Sequence, residues 1–310
     1  MKKFVKKALI AAALAMPVLT YAAATPILFD TNGALAGGLT TVDLLDWQPG
    51  NALAVGGNPL SGFLSVGTQT QLLYQANLGS ISLNGGPAQL TLQPFTAVAG
   101  FNEIVLSNPN GLSPTFGLSD APLRDTSNFF YIYANQFGNN LAGTGFVGST
   151  VALSGYIASV TSSNYDSRGT IDLFDKFLND NYAGQQTLVG SGTTDLVVVV
   201  DFANSAYFPS LVAGSTFSFF NTSTLTPFTT ADPSRCFSSN GTTGCNTASN
   251  TGPVNGVRIA GDTSVRNFQF LADGNSSFQV QAVPEPGSLA LLGLALGIAG
   301  VVRRRTAKQA

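Results

Sequence analysis

The sequence predicts an all-β fold: an antiparallel, jelly-roll-like β-sandwich that carries one short helix. Apolar runs of five to thirteen residues recur along the chain and are broken by Gly, Pro, Asn and Ser. Their β-branched and aromatic content favours strands, and 34 Gly with 15 Pro supply the turns between them. With 22 Phe there is enough apolar bulk for a sizeable core.

In chain order the expected strands are Leu60 to Val66, Gln71 to Leu83, Leu90 to Phe95, Phe101 to Ser107, Phe129 to Tyr133 and Thr150 to Val160. They continue with Thr194 to Phe202, Ser215 to Phe220, Asn267 to Ala272 and Ser277 to Ala282, the last two joined by a hairpin turn at Asp273-Gly274-Asn275. Asp195 to Asp201 encloses five apolar residues without alternation, which reads as a central strand covered on both faces. Thr216-Phe217-Ser218-Phe219 alternates as a half-buried strand does. Ile171 to about Asn181 places Ile171, Phe174, Phe177 and Leu178 on one side of a helix.

Charge excludes one class of partner. Lys2, Lys3, Lys6 and Lys7 sit in the first residues, and Arg303, Arg304, Arg305 and Lys308 in the last. Between them, six basic residues face sixteen acids, a net charge of −10 over residues 25 to 285. Such a body repels phosphate backbones, so no nucleic acid is expected as partner.

The candidate chemistry is sparse. The chain has no histidine, which removes Ser-His-Asp and Cys-His catalysis and the usual zinc sites. Carboxylate pairs for glycoside hydrolysis remain, such as Asp43 with Asp46 and Asp120 with Asp125, but these read as turn and surface residues. The chain is therefore expected not to be an enzyme and to need no cofactor. Asn164 to Asp175 overlays a twelve-residue calcium loop, with Asn164, Asp166, Asp172 and Asp175 as candidate Ca²⁺ ligands and Gly169 at position six. Arg168 stands where an oxygen ligand belongs, and a capped polar turn is the alternative. Cys236 and Cys245 enclose a Gly-, Ser- and Thr-rich loop and are expected to form a disulfide outside the cytoplasm. Trp47 is the one nameable candidate for stacking on a sugar ring.

Both ends read as sorting segments. At the N-terminus four lysines precede an apolar run from Ala8 to Leu19 and the small residues Ala22 to Ala24, which reads as a signal helix cleaved after Ala24, with Ala22 as the alternative. Near the C-terminus Pro284-Glu285-Pro286 precedes sixteen uncharged residues, Gly287 to Val302, and then Arg303, Arg304 and Arg305. As a helix that run spans about 24 Å, short for a hydrocarbon core of about 30 Å but workable with local thinning and snorkelling. The arginines act as a cytoplasmic stop. The expected organisation is a signal peptide over 1–24, an exported all-β domain over 25–283 and a sorting segment over 284–310.

This tail resembles the PEP-CTERM sorting signal of Gram-negative bacteria. The resemblance implies transient anchoring in the inner membrane, recognition at Pro284, Glu285 and Pro286 by an exosortase, and delivery to the cell surface or extracellular matrix. The body is similar to the flocculation-associated PEP-CTERM family in Phe29-Asp30-Thr31-Asn32-Gly33, Leu45-Asp46-Trp47, Gly190-Ser191-Gly192, Pro253-Val254-Asn255-Gly256 and the stretch from Phe268 to Phe278. That resemblance implies a surface protein needed for cells to clump, acting with exopolysaccharide; the alternatives are a carbohydrate-binding module and a carboxylate-dependent glycoside hydrolase.

Overall fold

The computed structural model describes residues 26–57, 62, 64–90, 93–119, 127–139, 145–171, 187–223 and 268–278. All regular structure among them is β, and no helix occurs. The strands are β1 (Ile27–Asp30), β2 (Leu39–Val42), β3 (Leu44–Val55), β4 (Gln69–Ser82), β5 (Phe95–Ser107), β6 (Thr115–Leu118), β7 (Phe129–Ala134), β8 (Thr150–Ile171), β9 (Thr187–Ala203), β10 (Thr216–Ser223) and β11 (Phe268–Ser277).

Strands β3 to β11 form one antiparallel sheet in the order β4-β3-β11-β10-β9-β8-β6-β5-β7. Further pairings of β4 with β5 and of β8 with β7 bring its ends together. The ladder thus runs β3-β4-β5-β7-β8-β9-β10-β11 and returns to β3. The short β6 shares the position of β7 between β5 and β8, pairing with both beyond the stretch that β7 occupies. Alternation of apolar and polar residues suits two packed sheets and one closed sheet equally, because both bury every second side chain. Here a single closed ladder carries the pattern.

Large and small side chains interlock inside the ring. Ala76 of β4 with Ala97 and Ala99 of β5 leave room for Phe130 of β7, whose ring meets Phe217 and Phe219 of β10 edge-on at 5.2 and 5.5 Å. Interior apolar side chains of this kind each contribute about 1.5–3 kcal/mol by burial. Polar residues such as Thr193, Asp195, Thr216 and Ser218 take the alternate positions on β9 and β10 and are only partly buried. Apolar-in and polar-out is the reverse of a lipid-facing barrel.

Two further layers complete the body. The β1–β2 hairpin and residues 204–211 cover one end, where the Phe29 ring packs at a tilt between Phe95 and Phe208, at 5.1 and 5.0 Å. Asp30 Oδ1 accepts from the backbone N of Asn32 and of Gly33, both at 2.9 Å, and so starts the turn of that hairpin. Residues 136–139 and 145–148 lie over the outer side of β4, β5 and β7, where Phe146 packs with Leu73, Val98 and Tyr133. Asn77 fixes that segment with two hydrogen bonds to the Gly138 backbone, donating to its O at 2.9 Å and accepting from its N at 2.8 Å.

Several sequence expectations need correction. Val197, Val199 and Asp201 are only partly buried while Leu196, Val198 and Val200 are buried, so β9 is covered on one face more than the other. Asp273-Gly274-Asn275 is not a hairpin turn: β11 runs straight through it with a bulge between Ala272 and Gly274. A Cβ at Gly274 would lie 2.7 Å from Tyr74 Oη and 2.8 Å from the Phe219 ring, so glycine lets the bulge pass over those two rings. Leu64 to Val66 are loop rather than strand, and β1, β2, β3 and β6 form where no strand is expected. Most of the expected helix, from Asp172 onward, lies outside the described residues, as do both terminal helices.

Candidate functional site

At the end of the ring opposite the β1–β2 hairpin, the interior changes from apolar to polar. Thr70 of β4 and Glu103 of β5 are direct register partners, and Ser163 and Tyr165 reach the same place from β8. With Leu72, Phe116, Thr194 and Phe270 they line an open pocket with about 30 Å³ of free volume. That is room for one or a few waters or a single projecting group, not for a chain of rings.

Local sequence explains each position. Phe101, Glu103 and Val105 alternate along β5, so the acid is held in phase with two core residues and turns inward with them. Thr70 likewise shares its face of β4 with Leu72 and Tyr74. Glu103 is 4% exposed. Ser163 Oγ donates to its Oε1 at 2.7 Å, and Ser163 also contacts Thr194 Oγ1 at 3.4 Å. Because the serine proton is committed to the carboxyl, the threonine hydroxyl is the donor in the second contact. Burial pushes the Glu103 carboxyl up to about 7, against a smaller opposing effect of the Ser163 hydrogen bond. Thr70 is 6% exposed, and its Oγ1 has no hydrogen-bond partner. The Tyr165 and Phe270 rings lie 5.9 Å apart beside these groups, and burial raises the Tyr165 phenol well above its ordinary value.

A neutral carboxyl, two hydroxyls and an aromatic wall can hold an uncharged, hydrogen-bonding group. Glu103 is the one acid among the lining residues, and no metal-sized cluster of acids occurs among the described residues.

The residues singled out from sequence are placed elsewhere or lie outside the described residues. Asn164 and Asp166 sit in the extended ladder of β8 opposite Thr193 and Ser191. There Asn164 Nδ2 donates to Thr193 Oγ1 at 2.9 Å, and Asp166 Oδ1 accepts from Ser113 Oγ at 2.6 Å. A calcium loop would have to leave the sheet and turn near Gly169, whereas residues 164 to 171 stay paired with β9, with only a bulge between Ser167 and Gly169. Asp172 and Asp175 lie outside the described residues, as do Cys236, Cys245, Asp120 and Asp125. Trp47 is 1% exposed and donates from Nε1 to Ser276 Oγ at 2.9 Å, so it is a core residue and not a sugar platform. Asp43 Oδ2 accepts from the Asn84 backbone N at 2.8 Å, and Asp46 Oδ2 from Ser80 Oγ at 3.1 Å. Asp273 is raised from its ordinary value by partial burial and then by the charge of Asp46, which marks two neighbouring carboxyls on the outside of the ring. Pro284, Glu285, Pro286 and Arg303 to Arg305 lie outside the described residues.

No curated protein and no solved structure matches the chain. The family comparison does find a match, and it falls on the C-terminal segment. Residues 282–305 match the PEP-CTERM protein-sorting motif, so the chain carries the export signal of proteins handled by an exosortase.

Proposed function

We propose that this protein is a non-catalytic surface component that promotes flocculation together with exopolysaccharide once an exosortase has released it from its membrane anchor. The observation that carries the reading is the sorting motif at residues 282–305, which implies export, a C-terminal anchor and a destination at the cell surface. In this reading Pro284, Glu285 and Pro286 are the recognition element, Arg303 to Arg305 the cytoplasmic stop, and residues 1–24 a signal peptide. The strongly acidic body and its Ser-, Thr- and Asn-rich exterior suit a hydrated polysaccharide layer better than a lipid or nucleic-acid partner. Cys236 and Cys245 form a disulfide after export, and neither a cofactor nor Ca²⁺ is required.

Deletion of the gene tests this directly. A strain without it should fail to settle as flocs while still secreting polysaccharide, and the wild-type gene should restore clumping. Unchanged flocculation of the deletion strain would refute the reading.

A further inference from the structure

The pocket at the polar end of the ring is built, not incidental. Thr70 Oγ1 is buried without a partner, although a buried hydroxyl left unpaired costs about 1–3 kcal/mol. A valine of the same shape would avoid that cost. A carboxyl is held inside the same pocket by one serine, with no basic group among the lining residues to balance it. Aromatic rings at 5.9 Å flank these polar groups on one side. Unsatisfied hydrogen-bonding capacity beside an apolar wall is the arrangement that recognises a ring with hydroxyls on its rim and hydrogens on its face.

From this we infer that the pocket takes a projecting hydroxyl-bearing group of the uncharged terminal sugar unit of a polysaccharide chain, with Thr70 and Glu103 meeting its hydroxyls and the ring itself resting at the mouth beside Phe270. The small volume selects a chain end over an internal stretch, because only a projecting group enters. The polysaccharide as source of that unit rests on the flocculation reading above; the pocket itself does not. Above about pH 7, where Glu103 is ionised, it repels a uronate, and the other titratable group lining the pocket, Tyr165, stays neutral well beyond that point. Affinity for a single unit falls in the millimolar range.

The test is a titration of the full-length chain, held in lauryldimethylamine oxide so that no sugar-headed detergent competes, followed by ligand-observed NMR. The probes are the methyl glycosides of glucose, galactose and N-acetylglucosamine, with glucuronic acid as the charged comparison. At pH 8, above the Glu103 titration, at least one neutral glycoside should saturate, and glucuronic acid should bind about tenfold more weakly or not at all. Thr70→Val should weaken the neutral glycoside by about tenfold. It should melt no lower than wild type, since the hydroxyl it removes has no partner in the protein. Thr41→Val, an exposed change on β2, should alter nothing. Polysaccharide extracted from flocs should displace the glycoside. Three results would overturn the inference: no neutral glycoside saturates, Thr70→Val binds as wild type does, or the floc polysaccharide fails to compete. A deletion strain that still flocculates would refute the functional reading and leave the glycoside titration standing.

Discussion

Replacing Glu103 by glutamine should remove a pH dependence built into the core. The carboxyl is pushed from its ordinary 4.5 to about 7, so the folded chain holds a proton there that the unfolded chain has already released. Below pH 4.5 both states are protonated and burial of the group is matched. Between 4.5 and about 7 the folded state binds more protons, and stability falls as pH rises; above about 7 the loss is complete. At about 1.4 kcal/mol for each tenfold change in proton affinity, that interval corresponds to about 3 kcal/mol. Glutamine keeps the shape and can still accept from Ser163, but it does not titrate. Urea unfolding of the full-length wild type and Glu103→Gln, in the same detergent from pH 4 to 9, should therefore give matching stabilities at the acid end. The variant should be ahead by about 3 kcal/mol at pH 8. Asp273 adds a slope of the same sign to both proteins and drops out of the difference. Stabilities that differ by a constant amount across the whole range would refute the claim that the carboxyl is buried and unbalanced.

Further outcomes can be checked with the same preparation. Asn77→Ala removes both hydrogen bonds to Gly138 and leaves buried backbone groups unpaired, so it should cost about 2–4 kcal/mol in urea unfolding. It should also speed amide exchange at Gly138 and its described neighbours, residues 136–139. Tyr74→Phe deletes a buried hydroxyl that has no partner, and it should leave stability unchanged or raise it by about 1 kcal/mol. A fall of similar size would show that the hydroxyl is satisfied. Replacing Pro284, Glu285 and Pro286 together by alanine should strand the protein in the inner-membrane fraction with an uncut C-terminus, read by fractionation and intact mass; release of the altered chain to the surface would end that assignment. Cys236→Ser and Cys245→Ser should each expose one thiol to alkylation where the exported wild type exposes none.

The parts of the fold that could be read from sequence are those that carry alternation or long aromatic and β-branched runs. β10 shows itself by alternation, and β4 and β7, buried on both faces, by aromatic and β-branched runs, whereas β5 is anticipated as two pieces, Leu90 to Phe95 and Phe101 to Ser107, although it runs unbroken from Phe95 to Ser107. β9 misleads because its outer valines are only half covered, and valine is as acceptable on a half-buried pleat as in a core. β3 is hidden by Gln48-Pro49-Gly50-Asn51, which looks like a turn yet falls where its register with β4 shifts between Trp47 and Asn51. β11 looks like two strands because Asp-Gly-Asn is a turn signal by composition, and nothing local reveals that Tyr74 and Phe219 need a glycine there. The pocket is illegible for a different reason. Thr70, Glu103 and Ser163 come from three strands far apart in sequence, and each alone reads as a surface residue. One local signal does exist: Glu103 stands in phase with Phe101 and Val105, on the side of β5 where a charge does not belong.

The closed ladder bears on how cells could be held together. On a crowded surface, copies of one protein meet at high local density, and an unpaired strand offers its backbone to any neighbour as a template for cross-β growth. In the ring formed by β3 to β11 each strand has a partner on both sides, so that backbone is already spoken for. In the proposed role, cohesion through this ring passes through side chains and sugars. Such contacts are weak singly, add up through multivalency, and can be undone by a soluble competitor, whereas a fibre would be permanent.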